Sequence, residues 1–389
     1  MKEAVIVSGA RTPIGRAGGA LKDVPPDKFG ALVLGEAVKR AGIDAETIDQ
    51  VIMGHCLGST GCMARMALLE AGLPFSIPGL TIDRQCGSGS EAINLAAAMI
   101  MAGQGEVYVA GGVESMTRMP HLMEKPSQAY QRQAPRFIEP RPLAPSHIGD
   151  PPMGITAENV AEQYNVSRED QDKFGLASQQ KAEQAIKEGR FKDQIVPVEI
   201  PQKKGDPVVF DTDEHPRFGT TLEGLAKLPP VFKKDGTVTP GTSSGINDGA
   251  GAVVVMEKEK AKELGLKPRG TIRGLAAGGV DPNIMGMGPV PATRKVLENT
   301  GLTVDDLDVI ELNEAFASQA LASIRELGLD MDKINPNGGA IALGHPIAGS
   351  LAILTVKMIY ELERQQKRYG LVTACCGGGQ GVATIIERE

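Results

Sequence analysis

Two kinds of segment alternate along the chain and predict an α/β protein with covered sheets. Short stretches are apolar on both faces, which is typical of strands buried between layers of helices. Segments of helical length separate them. The 389 residues include 48 glycines and no Trp, a composition that favours helices packed closely on sheets through glycine turns. This length is too great for one core, so we expect two or three domains, or one duplicated unit with an insertion.

The predicted elements follow one another in a regular order. The strands are expected at Ala4–Ser8, Gln50–Gly54, Glu106–Ala110, Gly251–Met256, Thr271–Gly274, Asp308–Leu312 and Tyr369–Ala374. The helices between them are expected at Leu32–Ala41, Glu91–Ala102, Ala292–Thr300, Glu314–Leu327 and Ala348–Glu363. This alternation is the basis of the α/β prediction.

The middle of the chain differs from both ends. Between residues 117 and 250, prolines crowd the first part, where long regular elements cannot form. One helix is predicted after it, because Ser167 and Asp170 form a capping pattern and an apolar stripe runs from Phe174 to Ile186. We interpret this section as an insertion that lies over the core, a natural place to recognise a substrate.

A weak internal repeat relates the two ends of the chain. In each, a predicted strand is followed by a helix, a glycine-framed turn, a second helix and a second strand. The distance from His55 to Cys86 is 31 positions, and that from Asn313 to His345 is 32. Two similar halves would place the Cys86 turn and the His345 turn symmetrically about one axis. The alternative is a coincidence of order, which any α/β chain can produce.

Charge and cysteine content exclude several classes of protein. The formal net charge is −7 and the pI is about 5.5, which gives no indication of a nucleic-acid or membrane-surface protein. No apolar run approaches the ~20 residues that cross a bilayer. The first predicted strand follows Met1 too closely for a signal or transit peptide. The cysteines are odd in number and lack a disulfide spacing, which favours free thiols in a reducing cytoplasm. They are Cys56, Cys62, Cys86, Cys375 and Cys376.

Cys86 is the first candidate for chemistry. It lies in the glycine-rich turn Asp83–Ser90, directly before an apolar helix. Unpaired backbone N–H groups and the positive end of the helix would stabilise its thiolate. The glycines permit a sharp turn and close approach of a substrate. The alternative is the usual fate of a free cysteine, which is buried and unreactive.

Three further residues lie at strand ends or glycine turns. His345 lies on a tight turn before a helix, opposite the cysteine turn of the other half, and is a candidate base. Cys375 ends a strand and opens a glycine-rich segment whose N–H groups suit a developing oxyanion. A phosphate loop or a zinc site is less favoured there, because no Lys follows and no metal-ligand spacing exists. Asn313 either caps the next helix or orients a water or a carbonyl.

Together these segments resemble the thiolase family, in the branch that cleaves or forms 3-ketoacyl-CoA. Other segments that match the family, in family order, are Val7–Pro13, Gly111–Met116, Met153–Asn159 and Asn247–Ala250. The similarity covers essentially the whole chain. It implies a five-layered α-β-α-β-α fold of two similar halves. The N-terminal half would comprise residues 1–117 and 250–269, the C-terminal half residues 270–389, and a loop domain over coenzyme A residues 118–249.

The resemblance also implies a reaction. Cys86 would take the acyl group, activated by His345, and Cys375 would move the α-proton of the acetyl unit. Asn313, through a water, and His345 would form one oxyanion hole. The backbone N–H groups of Cys86 and Gly377 would form the other. A covalent thioester divides a Claisen condensation, or its reversal, into two easier steps.

Substrate contacts follow from the same resemblance. Arg217 and Ser244 match positions that touch the nucleotide and pantetheine of coenzyme A, and Met153 and Met285 match positions that line the acyl end. Coenzyme A would be a substrate, with no permanently bound cofactor and no metal. The protein would act as a homodimer or homotetramer in the cytoplasm, without a nucleic-acid or membrane partner.

The chain departs from the family pattern at two places. Ala348 and Leu351 replace family glycines beside His345, a change that would shift the helix carrying them. Cys62 and Met63 replace the usual residues of a loop that commonly serves the dimer contact. The first change bears on the efficiency of catalysis, and the second on the loop of the dimer contact.

Several functions stay open at the level of sequence. Pro152 replaces a His that short-chain acetoacetyl-CoA thiolases usually carry, which favours degradative cleavage of 3-ketoacyl-CoA of broader chain length. The alternatives are a biosynthetic acetoacetyl-CoA thiolase and a non-catalytic acyl-CoA-binding relative. A condensing enzyme that uses an acyl carrier protein is disfavoured by Cys375, which such enzymes lack.

Overall fold

The computed structural model describes residues 2–58, 60–126, 128, 130, 134–138 and 141–389. The N-terminal part contains β1 (Ala4–Arg11), β2 (Gly15–Arg16), α1 (Pro26–Ala41), β3 (Gln50–Gly54), α2 (Met63–Glu70), β4 (Gly79–Ile82), α3 (Ser88–Met101) and β5 (Val107–Ser115). The middle part contains α4 (Met153–Gln163), α5 (Arg168–Lys187), β6 (Val198–Ile200), β7 (Val208–Phe210) and α6 (Leu222–Ala226). The C-terminal part contains β8 (Asn247–Glu257), α7 (Lys258–Glu263), β9 (Gly270–Gly279), α8 (Pro289–Thr300), β10 (Val309–Leu312), α9 (Ala317–Leu327), α10 (Ala340–Leu343), α11 (Ile347–Gln365), β11 (Tyr369–Cys376) and β12 (Gln380–Glu387).

Two similar sets of strands are built from the ends of the chain. In the first, β4, β3, β5, β8 and β1 lie side by side, with β3 parallel to β4 and β5, and β8 antiparallel to β5 and β1. In the second, β10, β11, β12 and β9 lie side by side, with β10 parallel to β11, and β12 antiparallel to β11 and β9. A short pairing of β1 with β9 joins the two sets into one sheet. Because β3, β5, β8 and β1 repeat the order and directions of β10, β11, β12 and β9, the two similar halves are confirmed.

Helices cover both sets of strands and also lie between them. α1 and α2 pack on the outer side of the first set, and α8 and α9 on the outer side of the second. α3 and α11 pack against each other, and each contacts strands of both sets. Three clusters of buried apolar side chains fill the spaces between these layers. The arrangement is the five-layered α-β-α-β-α fold that the resemblance implies.

The middle part of the chain packs on the C-terminal half. α4 contacts α9 and the 3-10 segment Pro282–Met287, and α5 contacts α9 and α10. The predicted cap of α5 is present, since the Ser167 hydroxyl accepts a hydrogen bond from the Asp170 N–H at 3.1 Å. Among the described residues, no helix is both long and apolar enough to cross a membrane.

The structure confirms the predicted strands and corrects the start of two helices. It adds β2, β4, β12 and the β6–β7 hairpin, which were not predicted. The helix expected at Leu32–Ala41 begins six residues earlier, at Pro26. The helix expected at Glu314–Leu327 begins at Ala317 instead, because Phe316 pairs with Ser243 and the Ala317 N–H donates to the Thr242 carbonyl at 2.8 Å. The helix cap is therefore Phe316, and the interpretation of Asn313 as a cap is wrong.

Candidate active site

Cys86 lies in a 3-10 turn at residues 85–87 that leads directly into α3. The preceding Gln85 has a φ of 49°, in the left-handed region. Asp83 holds this backbone by accepting from the Gln85 N–H at 2.8 Å, and the Ser88 hydroxyl donates to the Gln85 carbonyl at 2.7 Å. Such a conformation costs about 1–3 kcal/mol. These hydrogen bonds offset the cost and place Cys86 at the start of a helix.

The protonation of Cys86 follows from its surroundings. Burial raises the pKa of its thiol to about 11. The backbone N–H groups of Gly377 and of Cys86 itself lower the pKa, since both are directed at the sulfur, while Glu114 and Asp83 raise it. The thiol therefore keeps its proton at neutral pH. The same two N–H groups are those expected to form an oxyanion hole.

Cys375 lies near the end of β11, among apolar side chains. It is fully buried in a cluster that includes Met285. Burial raises the pKa of the Cys375 thiol, and a charge on Cys86 raises it further. The turn that carries Cys86 contacts β11, the strand that carries Cys375. Cys376, next along the strand, packs in the separate cluster between α3 and α11. Its side chain thus points to the opposite side of the strand, as strand geometry requires.

His345 is a buried, neutral imidazole in the turn between α10 and α11. Burial lowers its pKa to about 4. Its backbone N–H donates to Asn247 Oδ1 at 2.9 Å, and its Nδ1 lies 2.6 Å from the Ser350 hydroxyl. Its Nε2 lies 3.4 Å from the side-chain nitrogen of Asn313. Because that nitrogen donates, Nε2 accepts, and Nδ1 carries the hydrogen that binds Ser350. Nε2 is then the nitrogen without a hydrogen of its own, and it can take a proton.

Asn313 follows β10 and shares this site. Its backbone N–H donates to the Thr373 carbonyl at 2.9 Å, which holds it against β11. Its side-chain Oδ1 is buried and has no hydrogen-bond partner among the described residues. A buried acceptor without a partner costs about 1–3 kcal/mol, so this oxygen is available to a water or a substrate donor. This geometry fits the water-mediated role that the resemblance implies.

The buried carboxylate of Glu314 fixes the turn that carries His345. It accepts hydrogen bonds from the Ser178 hydroxyl and the Asn335 amide at 2.7 Å each, and from the Ile341 N–H at 3.2 Å. Ile341 lies in α10, which ends directly before the His345 turn. Glu314, which follows β10, is therefore hydrogen-bonded to the loop of the base through Ile341. It is also hydrogen-bonded to α5 through Ser178.

The acyl side of the site is apolar. Met285 is buried with Cys375, and Met153 packs against the same cluster. Met153 is the first residue of α4, and Pro152 occupies the cap position before it. Phe232 and Phe316 meet edge to face at 6.0 Å beside this cluster. The structure thus brings both expected methionines to Cys375.

The two residues expected to touch coenzyme A differ in position. Ser244 is half-buried, and its backbone N–H donates to the Ala315 carbonyl at 3.0 Å, next to Asn313 and Phe316. Arg217 is exposed, and its backbone N–H donates to Gln179 at 2.9 Å. Ser244 thus lies at the site, whereas Arg217 lies outward from it, on the surface of the middle part.

Two models of known domain families match consecutive parts of the chain. Residues 4–259 match the model described as Thiolase, N-terminal domain, and residues 266–388 match Thiolase, C-terminal domain. The chain belongs to the thiolase family. The resemblance drawn from its motifs is confirmed, and with it the prediction of an enzyme that transfers acyl groups.

Relatives and solved structures agree with this assignment. The thiolase is 50% identical to the acetyl-CoA acetyltransferase of Syntrophomonas wolfei over 99% of both chains. It is also 50% identical to the 3-oxoadipyl-CoA/3-oxo-5,6-dehydrosuberyl-CoA thiolase of Escherichia coli over 100% of both. The acetyl-CoA acetyltransferase of Bacillus anthracis superposes with a TM-score of 0.95 at 47% identity, covering 100% of this chain and 99% of that one. Human mitochondrial 3-ketoacyl-CoA thiolase superposes with a TM-score of 0.95 at 41% identity, with the same coverage.

The two side chains that depart from the family pattern beside His345 are buried in the core of this thiolase. Ala348 and Leu351 are fully buried, and Leu351 belongs to the cluster between α3 and α11. Ser350, between them, keeps its contact with His345. The two larger side chains therefore fill the helix interface and leave the base within reach of Asn313.

Sequence reasoning missed three residues that shape the site of this thiolase. They are Asn247, Ser350 and Glu314. Asn247 binds the His345 backbone, Ser350 binds its ring, and Glu314 binds the loop before it. The role of Glu314 could have been inferred from its sequence context. It lies between apolar residues at a strand end, and a carboxylate is rarely buried there without several hydrogen-bond donors.

Within the described part of the chain, no group of three His, Cys, Asp or Glu side chains is placed to hold a metal ion.

Proposed function

We propose that the protein is a 3-ketoacyl-CoA thiolase that forms an acyl-Cys86 intermediate and works mainly in the direction of cleavage. The observation that supports this proposal is that the Cys86 turn contacts both α11, which begins just after the candidate base, and β11, which carries the second thiol, while two backbone donors face the Cys86 sulfur. These groups are Cys86, His345, Cys375 and the N–H groups of Cys86 and Gly377. A non-catalytic relative has no need to keep all of them together.

Cleavage would begin with the proton of Cys86. In the free enzyme the pKa of Cys86 is about 11 and that of His345 about 4, so the proton stays on sulfur. His345 Nε2 would take it as the sulfur adds to the C3 carbonyl carbon of the substrate, because a base contributes most when transfer accompanies bond formation. The oxyanion formed at C3 would be held by the N–H groups of Cys86 and Gly377. One such donor is typically worth about 2.7–4 kcal/mol.

The second half of the cycle involves Cys375 and Asn313. As the C2–C3 bond breaks, its electron pair forms the enolate of acetyl-CoA, whose oxygen would be stabilised by His345 and an Asn313-bound water. The Cys375 thiol would give its proton to C2, and its thiolate would later accept the proton of incoming coenzyme A. The coenzyme A sulfur then attacks the acyl-Cys86 thioester, the Cys86 sulfur leaves and regains its proton from His345, and the shortened acyl-CoA is released.

Chain-length preference is expected to be broad, because Pro152 cannot donate a hydrogen bond to the substrate. Such a bond is worth about 1 kcal/mol, or roughly fivefold in kcat/KM. We expect thiolysis of the C8 3-ketoacyl-CoA with a kcat/KM within about tenfold of that for acetoacetyl-CoA. The assay follows the loss of enolate absorbance across chain lengths.

The matched control is Pro152→His, which is expected to raise kcat/KM for the C4 substrate about fivefold and leave the C8 value unchanged. Strong preference for C4 with no turnover of C8 would replace this proposal by an acetoacetyl-CoA thiolase. The names of the acetyl-CoA acetyltransferase relatives favour that second candidate.

We also propose a homodimer formed through the edge strand β4. β4 ends the sheet, and the surface beside it exposes Met66, Leu69, Phe75 and Leu80, with Phe75 84% exposed. An edge strand flanked by exposed apolar side chains is a pairing site. We expect Phe75→Glu to weaken the dimer, measured by sedimentation, whereas Leu264→Glu on another exposed surface should not. A monomeric wild type would contradict the proposal.

The division of the chain is proposed on similar grounds. β8 pairs with β5 and β1, which supports placing residues 250–269 with 1–117 in the N-terminal half, while β9 pairs with β12 and supports a C-terminal half from residue 270. The loop domain would then span 118–249.

We also propose that the protein is cytoplasmic, with coenzyme A as a substrate and no resident cofactor. Its five cysteines are free thiols, as a reducing compartment would keep them.

A further inference from the structure

The two backbone donors of the first oxyanion hole belong to different halves of the fold. The Cys86 N–H lies on the turn before α3, and the Gly377 N–H on the turn between β11 and β12. The two turns are in direct contact. A Cβ placed on Gly87 would lie 2.6 Å from the Cys376 sulfur. The width of the hole therefore depends on how these two turns are held together.

Arg84 spans the two turns. Its Nη1 donates to the side-chain oxygen of Gln380 at 3.1 Å, and its Nη2 pairs with the Glu91 carboxylate at 3.0 Å. Gln380 is the first residue of β12, and its own amide nitrogen lies 3.4 Å from the Gly377 carbonyl. One chain of contacts thus runs from α3 through Arg84 and Gln380 to the glycine turn.

The guanidinium group of Arg84 is suited to holding two partners at a fixed distance from each other. It is planar, keeps its charge, and presents donors in a fixed fork, so two partners bound at once are held at a set separation. Its charge is balanced by Glu91, which lies in α3, the helix that follows the Cys86 turn. Side-chain exposure of Arg84 is 28%, so the link to Gln380 is partly shielded from water.

We propose that Arg84 is a positioning residue that sets the separation of the two oxyanion donors by tying the Cys86 turn to the glycine turn through Gln380. This inference rests on the proposed function of Cys86 as the nucleophile. Donors stabilise an oxyanion only when both lie about 2.7–3.1 Å from the oxygen. A small separation of the turns would weaken the hole without removing any reacting group.

Two reactions of Cys86 distinguish this role from a general structural one. Acylation by acetyl-CoA adds the sulfur to a carbonyl carbon, passes through an oxyanion, and expels the coenzyme A thiol. Alkylation by iodoacetamide forms a carbon–sulfur bond and expels iodide, with no oxyanion. We expect Arg84→Met and Gln380→Met each to slow acylation and lower kcat about tenfold, a part of the 10²–10³ lost with a whole donor. Alkylation and the KM for coenzyme A are expected to change less than about twofold.

The control is Glu91→Gln, which removes the charge of the other partner of Arg84 and leaves the bridge to Gln380. The acylation rate of this variant is expected to stay within about twofold of wild type. The double variant of Arg84 and Gln380 should be no slower than either single one, because both break the same link. If Arg84→Met does not fold, Gln380→Met carries the test. Equal losses in acylation and alkylation, or an equal loss in Glu91→Gln, would overturn the inference. Absence of an acyl-Cys86 adduct in the wild type would instead overturn the proposed function.

Discussion

Replacement of Cys86 by Ala is expected to abolish acyl transfer, whereas Cys375→Ala is expected to retain slow acylation of Cys86 by acetyl-CoA. The two sulfurs are close enough for a charge on one to raise the pKa of the other, yet their surroundings differ. The Cys86 sulfur faces two backbone N–H groups, while Cys375 lies among apolar side chains. The first arrangement suits a nucleophile and the second a proton donor, whose loss typically costs 10²–10⁴-fold in turnover.

Mass spectrometry of peptides after incubation with acetyl-CoA separates these roles. The native enzyme and Cys375→Ala should carry the acetyl group on Cys86, and Cys86→Ala should carry none. Cys62→Ala is the matched control, because Cys62 is a half-buried thiol that contacts Gly79 and Thr81 rather than the site. An adduct on Cys375 with Cys86 unmodified would reverse the assignment.

Local features explain which parts of the site could be predicted from the sequence. Cys86 and His345 lie in glycine-rich turns before a helix, and Cys375 lies near the end of a strand that leads into such a turn. Such turns are visible in a short stretch of residues. The repeat in the order of elements was also visible, because both halves use the same strand pairing. Asn313 was identified for its place after β10, and of its two predicted roles only that of a helix cap is wrong.

The contacts that hold these turns could not be predicted, because they join residues far apart in the chain. Asn247 is 98 positions from His345, and Arg84 is 296 positions from Gln380. Pairing of residue 243 with residue 316 also shortened the helix expected from residue 314. Helical periodicity describes only a residue's own neighbours, so it carries no information about a strand pairing that replaces the first turn of a helix.

A single buried carboxylate should therefore affect catalysis strongly without touching the substrate. Glu314→Gln is expected to lower kcat about 10²-fold, because a displacement of about 1 Å in a reacting group can have that effect. The carboxylate accepts three hydrogen bonds. A Gln amide would direct its own N–H groups at one of these donors, and an unsatisfied buried donor costs about 1–3 kcal/mol. Relief of this clash moves the loop of His345 away from Asn313.

The control for this prediction is Glu361→Gln, the same change at another buried carboxylate of the C-terminal half. Glu361 accepts from Asn337 at 2.7 Å and from Arg364 at 2.9 Å, on the later turns of α11. Both variants should lower the thermal midpoint of unfolding, since each leaves buried donors unpaired. Only Glu314→Gln should lower kcat, with the KM for coenzyme A unchanged, because Ser244 and Arg217 do not contact it. A loss of kcat in proportion to the loss of stability in both variants would show that Glu314 supports the fold alone. A loss confined to Glu314→Gln would show that it positions the base.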